Sequence, residues 1–210
     1  MHKKRTVKSP DQRRSELLDS AVELFDRKGF EATTVQDIAK SAGVAPGTVY
    51  LYFDSKERIL RELHVEYHRT VQAEVHATVE TQLGQLAAGA TDTRTAIDAI
   101  VDAVVDTMHR HRSATNVICR YLPRMADAAR DEDREVVEFI ADTIQVGMAA
   151  GYLHTSDPQM TAHLLKACIY EPITHQMVYG DPPELAPLVA QLKELFFKVL
   201  AVPSEVPALG

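Results

Sequence analysis

The sequence predicts an all-α protein of about nine helices, in which a three-helix head with a helix-turn-helix precedes a longer helical bundle. Three observations predict it. Every regular segment repeats its apolar residues at intervals of three and four, the spacing of one helical face. No segment alternates apolar and polar residues as a half-buried strand would. The 210 residues, 45% hydrophobic and 25% charged, suffice for a small head and a larger body.

After Pro10, the segment DQRRSELLDSAVELFDRKGF places Leu17, Leu18, Ala21, Leu24 and Phe25 on one face. Gly29 supplies the stop, with Phe30 positioned to pack back. Thr34 is the expected N-cap of the second helix and Asp37 its reciprocal partner, with Val35, Ile38 and Ala39 facing inward and Gly43 closing the helix. Pro46 suits a first helical turn, and the third helix is expected to run to Phe53. Two short helices joined by a tight turn at Gly43 and Val44 have the spacing of a helix-turn-helix.

Asp54 or Ser55 caps a long fourth helix reaching about Thr81, with Ile59, Leu60, Leu63, Val65, Val71, Val75 and Val79 inward and GQLAAGATDT as its break. A fifth helix covers Thr93 to His109 and a sixth Ser113 to Leu122. DAARDEDRE reads as a solvated connection, and Val136 to Met148 forms a seventh helix ended by Gly151. The eighth is capped at Ser156 or Asp157, carries Pro158 near its start and is expected to kink or loosen at Pro172. The ninth runs from Glu184 to Leu200, and a frayed tail follows. The head is assigned to residues 11–55 and the body to 56–203.

Lys+Arg number 23 against Asp+Glu 30, a net charge of -7 that by itself discourages a nucleic-acid surface. The charge is unevenly placed. Through Lys56 there are ten basic against eight acidic residues, net +2, and beyond it 13 against 22, net -9. Lys3, Lys4, Arg5 and Lys8 form a basic arm, suited to a polyanion or to solubility. Two cysteines, Cys119 and Cys168, exclude a disulfide scaffold and a four-thiolate zinc site. His64 and His68, four apart, share a face as a zinc pair would, but no cysteine or carboxylate accompanies them, so no metal or cofactor is expected. No membrane span or signal peptide is read, which makes a cytoplasmic location the expectation.

The second helix of a helix-turn-helix is sized for the major groove, with its N-terminal end toward base edges and phosphates. Here that end reads APGTVYLYF, so Ala45, Pro46 and Gly47 begin it and Thr48 can hydrogen-bond or present a methyl to thymine. Val49 and Phe53 face the head's core, leaving Tyr50, Leu51 and Tyr52 on the exposed arc, where tyrosine hydroxyls suit phosphate. Lys56 is expected to reach the same DNA backbone. No Arg or Asn is arranged for bidentate base reading, so specificity leans on apolar and hydroxyl contacts and on DNA shape.

The stretch LLDSAVELFDRKGFEATTVQDIAKSAGVAPGTVYLYFDSKERIL closely resembles the N-terminal domain of the TetR family of bacterial transcriptional regulators, with its Gly-Phe stop, TT, DIA, AGV, GTVY, YF and SKE at family spacing. The resemblance covers about residues 11 to 60. It implies an all-helical homodimer whose divergent body binds a small molecule, usually a repressor until that molecule arrives. It also implies that Thr34 begins the first helix of the motif and that Gly47, Thr48, Tyr50, Tyr52 and Lys56 match DNA-contact positions. Ala45 stands where family members often have serine, which removes one capping or phosphate-binding hydroxyl.

One head reads too few base pairs for useful specificity, so two heads paired across a DNA dyad, roughly 34 Å apart, are the expectation. Leu164, Leu165, Cys168 and Ile169 of the eighth helix, with Leu192, Leu195, Phe196 and Val199 of the ninth, are assigned to a four-helix interface between subunits. The effector chamber is assigned to Met108, His109, Val117, Ile118, Tyr121, Met125 and Phe139, with Met148 as an outlying member and Arg120 or Arg124 available to an acidic ligand. The resulting expectation is a ligand-responsive, homodimeric repressor of a palindromic operator, released by a small, largely apolar effector. The same contacts permit an activator or a corepressor-dependent regulator. A helical interaction module or an enzyme that kept the head is the reading from another class, but no G-x-S-x-G elbow, H-E-x-x-H pair or P-loop supports catalysis.

Overall fold

The computed structural model describes residues 9–121, 129–179 and 185–202. The basic arm at Lys3, Lys4, Arg5 and Lys8, together with Arg124 and Met125, lies outside these residues. Among the described residues the chain is all-α, with nine helices.

Helix α1, Pro10–Lys28, starts in a capping box: Ser9 Oγ accepts from the Gln12 N–H, and the Gln12 side chain accepts from the Ser9 N–H. Its inner face is the expected set, Leu17, Leu18, Ala21, Leu24 and Phe25, all buried. Gly29, at φ 87°, ends it in a backbone conformation that side chains resist. Helix α2, Val35–Ser41, carries the second capping box, with the Asp37 N–H donating to Thr34 Oγ1 at 3.1 Å and the Thr34 N–H to Asp37 Oδ2 at 2.9 Å. Gly43, at φ 66°, turns the chain into α3, Pro46–Tyr50. This helix is shorter than expected: Leu51 and Tyr52 fall in a turn before Ser55 caps α4.

Asp37 also receives a 2.6 Å ion pair from Lys28, and that bond, followed by those from Thr34, holds its carboxyl well below the usual carboxylate range. A carboxyl depressed on folding stabilises the protein above its unfolded pKa, near 3.9, and the gain fades as pH falls below that value. Asp37→Asn is therefore expected to lower Tm by a few degrees at pH 7, with the gap to the wild type closing as thermal scans move from pH 5 toward pH 2.

Helix α4, Lys56–Ala87, has 32 residues and a length of about 48 Å, continuing past the expected end at Thr81 and through Gly84. It packs along α5, Thr93–Arg110, which Asp92 caps. Helix α6, Arg112–Tyr121, lies against α1. Helix α7, Ala129–Ala149, begins inside the acidic strip expected to be a connection, and antiparallel α8, Pro158–Tyr179, continues through Pro172. Helix α9, Leu185–Leu200, closes on α5 and α8, and an isolated bridge pairs Leu153 with Ala201.

Two apolar clusters result. One joins α1–α3 to the inner face of α4 and to Val117 and Ile118 of α6, so it does not stop at residue 55. The other is built by α5, α7, α8 and α9 around Val101, Met108, Ala141, Ile144, Ile173 and Phe196.

Candidate functional site

The turn and α3 stand out from a well-anchored base. Val49 and Phe53 are fully buried, and they fix the outward arc: Tyr50 is 53% exposed and Leu51 82%. Leu51, two residues beyond the buried Val49, leaves most of its side chain in solvent. Ala45, Pro46 and Gly47 are exposed and Thr48 and Tyr52 half-buried. A Cβ at Gly47 would meet nothing within 4 Å, so its missing side chain leaves room only for something outside the chain. Ala45 offers α3 no side-chain cap.

Thr34 and Lys56 have internal work. The Thr34 hydroxyl sits in the exposed cap of α2. Lys56, expected to reach DNA, instead donates from Nζ to the Phe30 carbonyl at 2.7 Å and stands 4.2 Å above the Phe30 ring centroid. It latches the turn after α1 to the start of α4.

Helix α6 joins this head to the body. The Phe30 N–H donates to the Tyr121 hydroxyl at 2.9 Å, with the two rings 5.5 Å apart. Asn116 Nδ2 donates to Asp26 Oδ1 at 3.3 Å, and Arg120 approaches the Asp26 carbonyl. At the other end of α6, Thr115 Oγ1 lies 3.0 Å from both the Tyr67 hydroxyl on α4 and the Met108 carbonyl on α5. Burial pushes the Tyr67 phenol up, which keeps it neutral.

A cavity of about 150 Å³ lies between α4, α5, α7 and α8, closed by α9. Its wall is overwhelmingly aliphatic: Val71, Val75 and Val79 of α4, Ile97, Ile100 and Val104 of α5, and Ile140 and Ile144 of α7. Of the residues assigned to a chamber, Phe139 lines this cavity, with His76 stacked on its ring at 3.5 Å. The other described residues of that set sit elsewhere. Met108 is buried in the body core, His109 is exposed, and Val117, Ile118 and Tyr121 build the joint to the head. The cavity sits on the α4 side of the bundle, away from the joint formed by α6. Its polar members, His68, Gln72, Lys166 and Tyr170, escaped the sequence reading, although the His64–His68 interval marked that face of α4. Both histidines are buried, with rings 4.4 Å apart.

The set assigned to a subunit interface divides in two. Leu164, Leu195 and Val199 are exposed, with Met160 beside them in sequence register on α8. Leu165, Ile169, Leu192 and Phe196 instead face this chain's own core, and Leu165, Ile169 and Phe196 reach the cavity. Cys168 is half-buried. Cys119 is also half-exposed at the α6–α8 contact, where burial pushes its thiol up to about 11 against an opposing hydrogen bond with Thr174. Among the described residues, no helix is long and apolar enough to cross a membrane.

This architecture has relatives. Residues 17–63 match the family model described as "Bacterial regulatory proteins, tetR family". The chain is 43% identical over 63 residues to the HTH-type transcriptional regulator YfiR of Bacillus subtilis, covering 30% of this chain and 31% of that protein. It is 53% identical over 51 residues to the HTH-type transcriptional repressor KstR2 of Rhodococcus jostii, covering 24% of this chain and 25% of that protein. These matches thus span less than a third of either relative's length. The fold extends the likeness: the fatty acid degradation regulator FadR from Bacillus halodurans superposes with a TM-score of 0.69, covering 90% of this chain and 96% of that one at 22% identity. Residues 17–63 thus carry the helix-turn-helix domain of the tetR family of bacterial regulatory proteins, and the all-α body behind it shares the fold of that solved regulator.

Proposed function

We propose that the protein is a homodimeric transcriptional repressor that grips an inverted-repeat operator through α2 and α3 and lets go when a small apolar effector enters the body cavity. The observation that carries this reading is the outward arc of α3, where Tyr50 and Leu51 project from a helix pinned by Val49 and a glycine leaves space beside them. Thr34, Ala45, Pro46, Gly47, Thr48, Tyr50, Leu51 and Tyr52 form the DNA-facing surface. Lys56 acts mainly through Phe30, holding the motif in place.

An apolar cavity beside α4 supports an apolar effector, and so does the overall likeness to a regulator of fatty acid degradation. The effector works only by binding one arrangement of the body better than another. Because α4 lines the cavity and α6 is hydrogen-bonded to both α4 and the head, a shift of either helix tilts the heads out of register with successive grooves.

The test is selection of genomic fragments by the purified protein, followed by affinity measurements across salt concentrations. A reproducible inverted repeat is expected, with Thr48→Ala plus Tyr50→Ala weakening it by about tenfold or more. Salt-sensitive binding without sequence preference would overturn the regulator reading.

A further inference from the structure

We propose that Leu51 selects thymine in the operator by burying its 5-methyl group, so that each half-site carries one base pair recognised without a hydrogen bond; this rests on α3 entering the major groove.

The first argument is direction. Leu51 is the C-cap of α3 and keeps helical backbone angles, φ −73° and ψ −21°, so the screw of the helix still sets where it points. Two residues turn a helix by about 200°. Because Val49 is fully buried, Gly47 and Leu51, two residues before and after it, form the pole of α3 that faces away from the head core. Tyr50 and Thr48 flank that pole, and burial follows the same order: Leu51 is more exposed than Tyr50, and Thr48 is half-buried. A helical side chain leans toward the N-terminal turn, which lays Leu51 over the turn containing Gly47. A Cβ at Gly47 would meet nothing within 4 Å, so the pole is an apolar surface with open space beside it, on the motif matched by the family model.

The second argument is chemistry. From Ala42 to Phe53 the sequence holds no charged and no amide side chain, so the turn and α3 carry none of the bidentate groups that read guanine or adenine. A leucine set against the O6 or N7 of guanine, the N6 of adenine or the N4 of cytosine strips water from a polar group and returns no hydrogen bond. The 5-methyl of thymine is the one apolar group that the four bases present in the major groove, and its contact with Leu51 removes apolar surface from water on both sides. Leucine therefore discriminates twice, by the contact it makes with thymine and by the desolvation it imposes on the other bases.

Fluorescence anisotropy of the full-length protein on synthetic duplexes of the selected inverted repeat tests this. Each thymine is replaced in turn, at symmetric places in both half-sites, by deoxyuridine, which lacks only the 5-methyl. Burying one methyl is worth about fourfold in affinity, so at one thymine per half-site the paired replacement is expected to weaken binding by about tenfold or more. Leu51→Ala should bind the thymine and uracil duplexes at that position within about twofold of each other. Its Tm should stay within about 2 °C of the wild type, because Leu51 fills no part of the core. A repeat whose thymines all tolerate uracil, or a uracil effect of full size that survives in Leu51→Ala, would overturn the proposal and leave operator recognition standing. Failure to select any repeat would overturn both readings together.

Discussion

Leu164→Glu combined with Leu195→Glu is expected to produce a folded monomer whose affinity for the inverted repeat is lower by roughly 10²–10⁴-fold. Both leucines are exposed on adjacent helices, α8 and α9, with Val199 one turn beyond Leu195 and Met160 one turn before Leu164. An apolar face of this kind on two antiparallel-packing helices suits a self-complementary contact about a two-fold axis, where each leucine meets its symmetry neighbourhood. Four glutamates brought together there repel one another and lose their hydration. Once subunits separate, the second head no longer binds at the high effective concentration its tether provides. Sedimentation velocity and fluorescence anisotropy on the selected operator check both halves of the expectation. A double variant that still sediments as a dimer would remove α8 and α9 from the subunit contact. Leu165 and Phe196 are unsuitable for this test, because they hold the cavity wall and the core of their own chain.

Phe25→Ala is expected to cost about 3–5 kcal/mol, a large part of the roughly 5–15 kcal/mol that holds a domain together. The ring is fully buried, 5.0 Å from Phe30, which in turn packs on Tyr121 and under the Lys56 ammonium. Truncation leaves a hole in the apolar cluster that α1, α4 and α6 share. Urea unfolding should show a lower midpoint with little change in slope, and operator binding should fall with the folded fraction. A loss below about 1 kcal/mol would mean that the head relaxes around the gap.

Much of this was legible in the sequence because it is local. The inward face of α1, the Thr34–Asp37 cap and the glycine stops depend on residues three or four apart, and each occupies its expected place. The misread boundaries depend on distant contacts. Helix α4 runs through Gly84 where its flank is covered by α5. Helix α3 ends early because Phe53 must turn inward toward the head core.

The cavity was less legible for a different reason. Periodicity identifies which side chains face inward, but a gap depends on how several inward faces fail to meet. Phe139 lines the gap, while Val117 and Ile118 also face inward yet meet the head without leaving space. Leu164 and Leu165 make the same point for the subunit face. In a helix apolar on several sides, adjacent leucines point to different partners, and only the packing of α8 against α7 and α9 decides which one remains outside.

The shared cluster at the joint bears on how such proteins can be recombined. Tyr121 closes over Phe30, Asn116 meets Asp26, and Val117 and Ile118 complete the apolar centre under α1. A hybrid that grafts only residues before α4 onto a foreign scaffold would inherit the recognition surface without its keystone. The smallest transplantable reading unit is discontinuous: the first three helices, the opening turns of α4 and the inner face of α6 travel together, although some fifty residues of chain separate their last two parts.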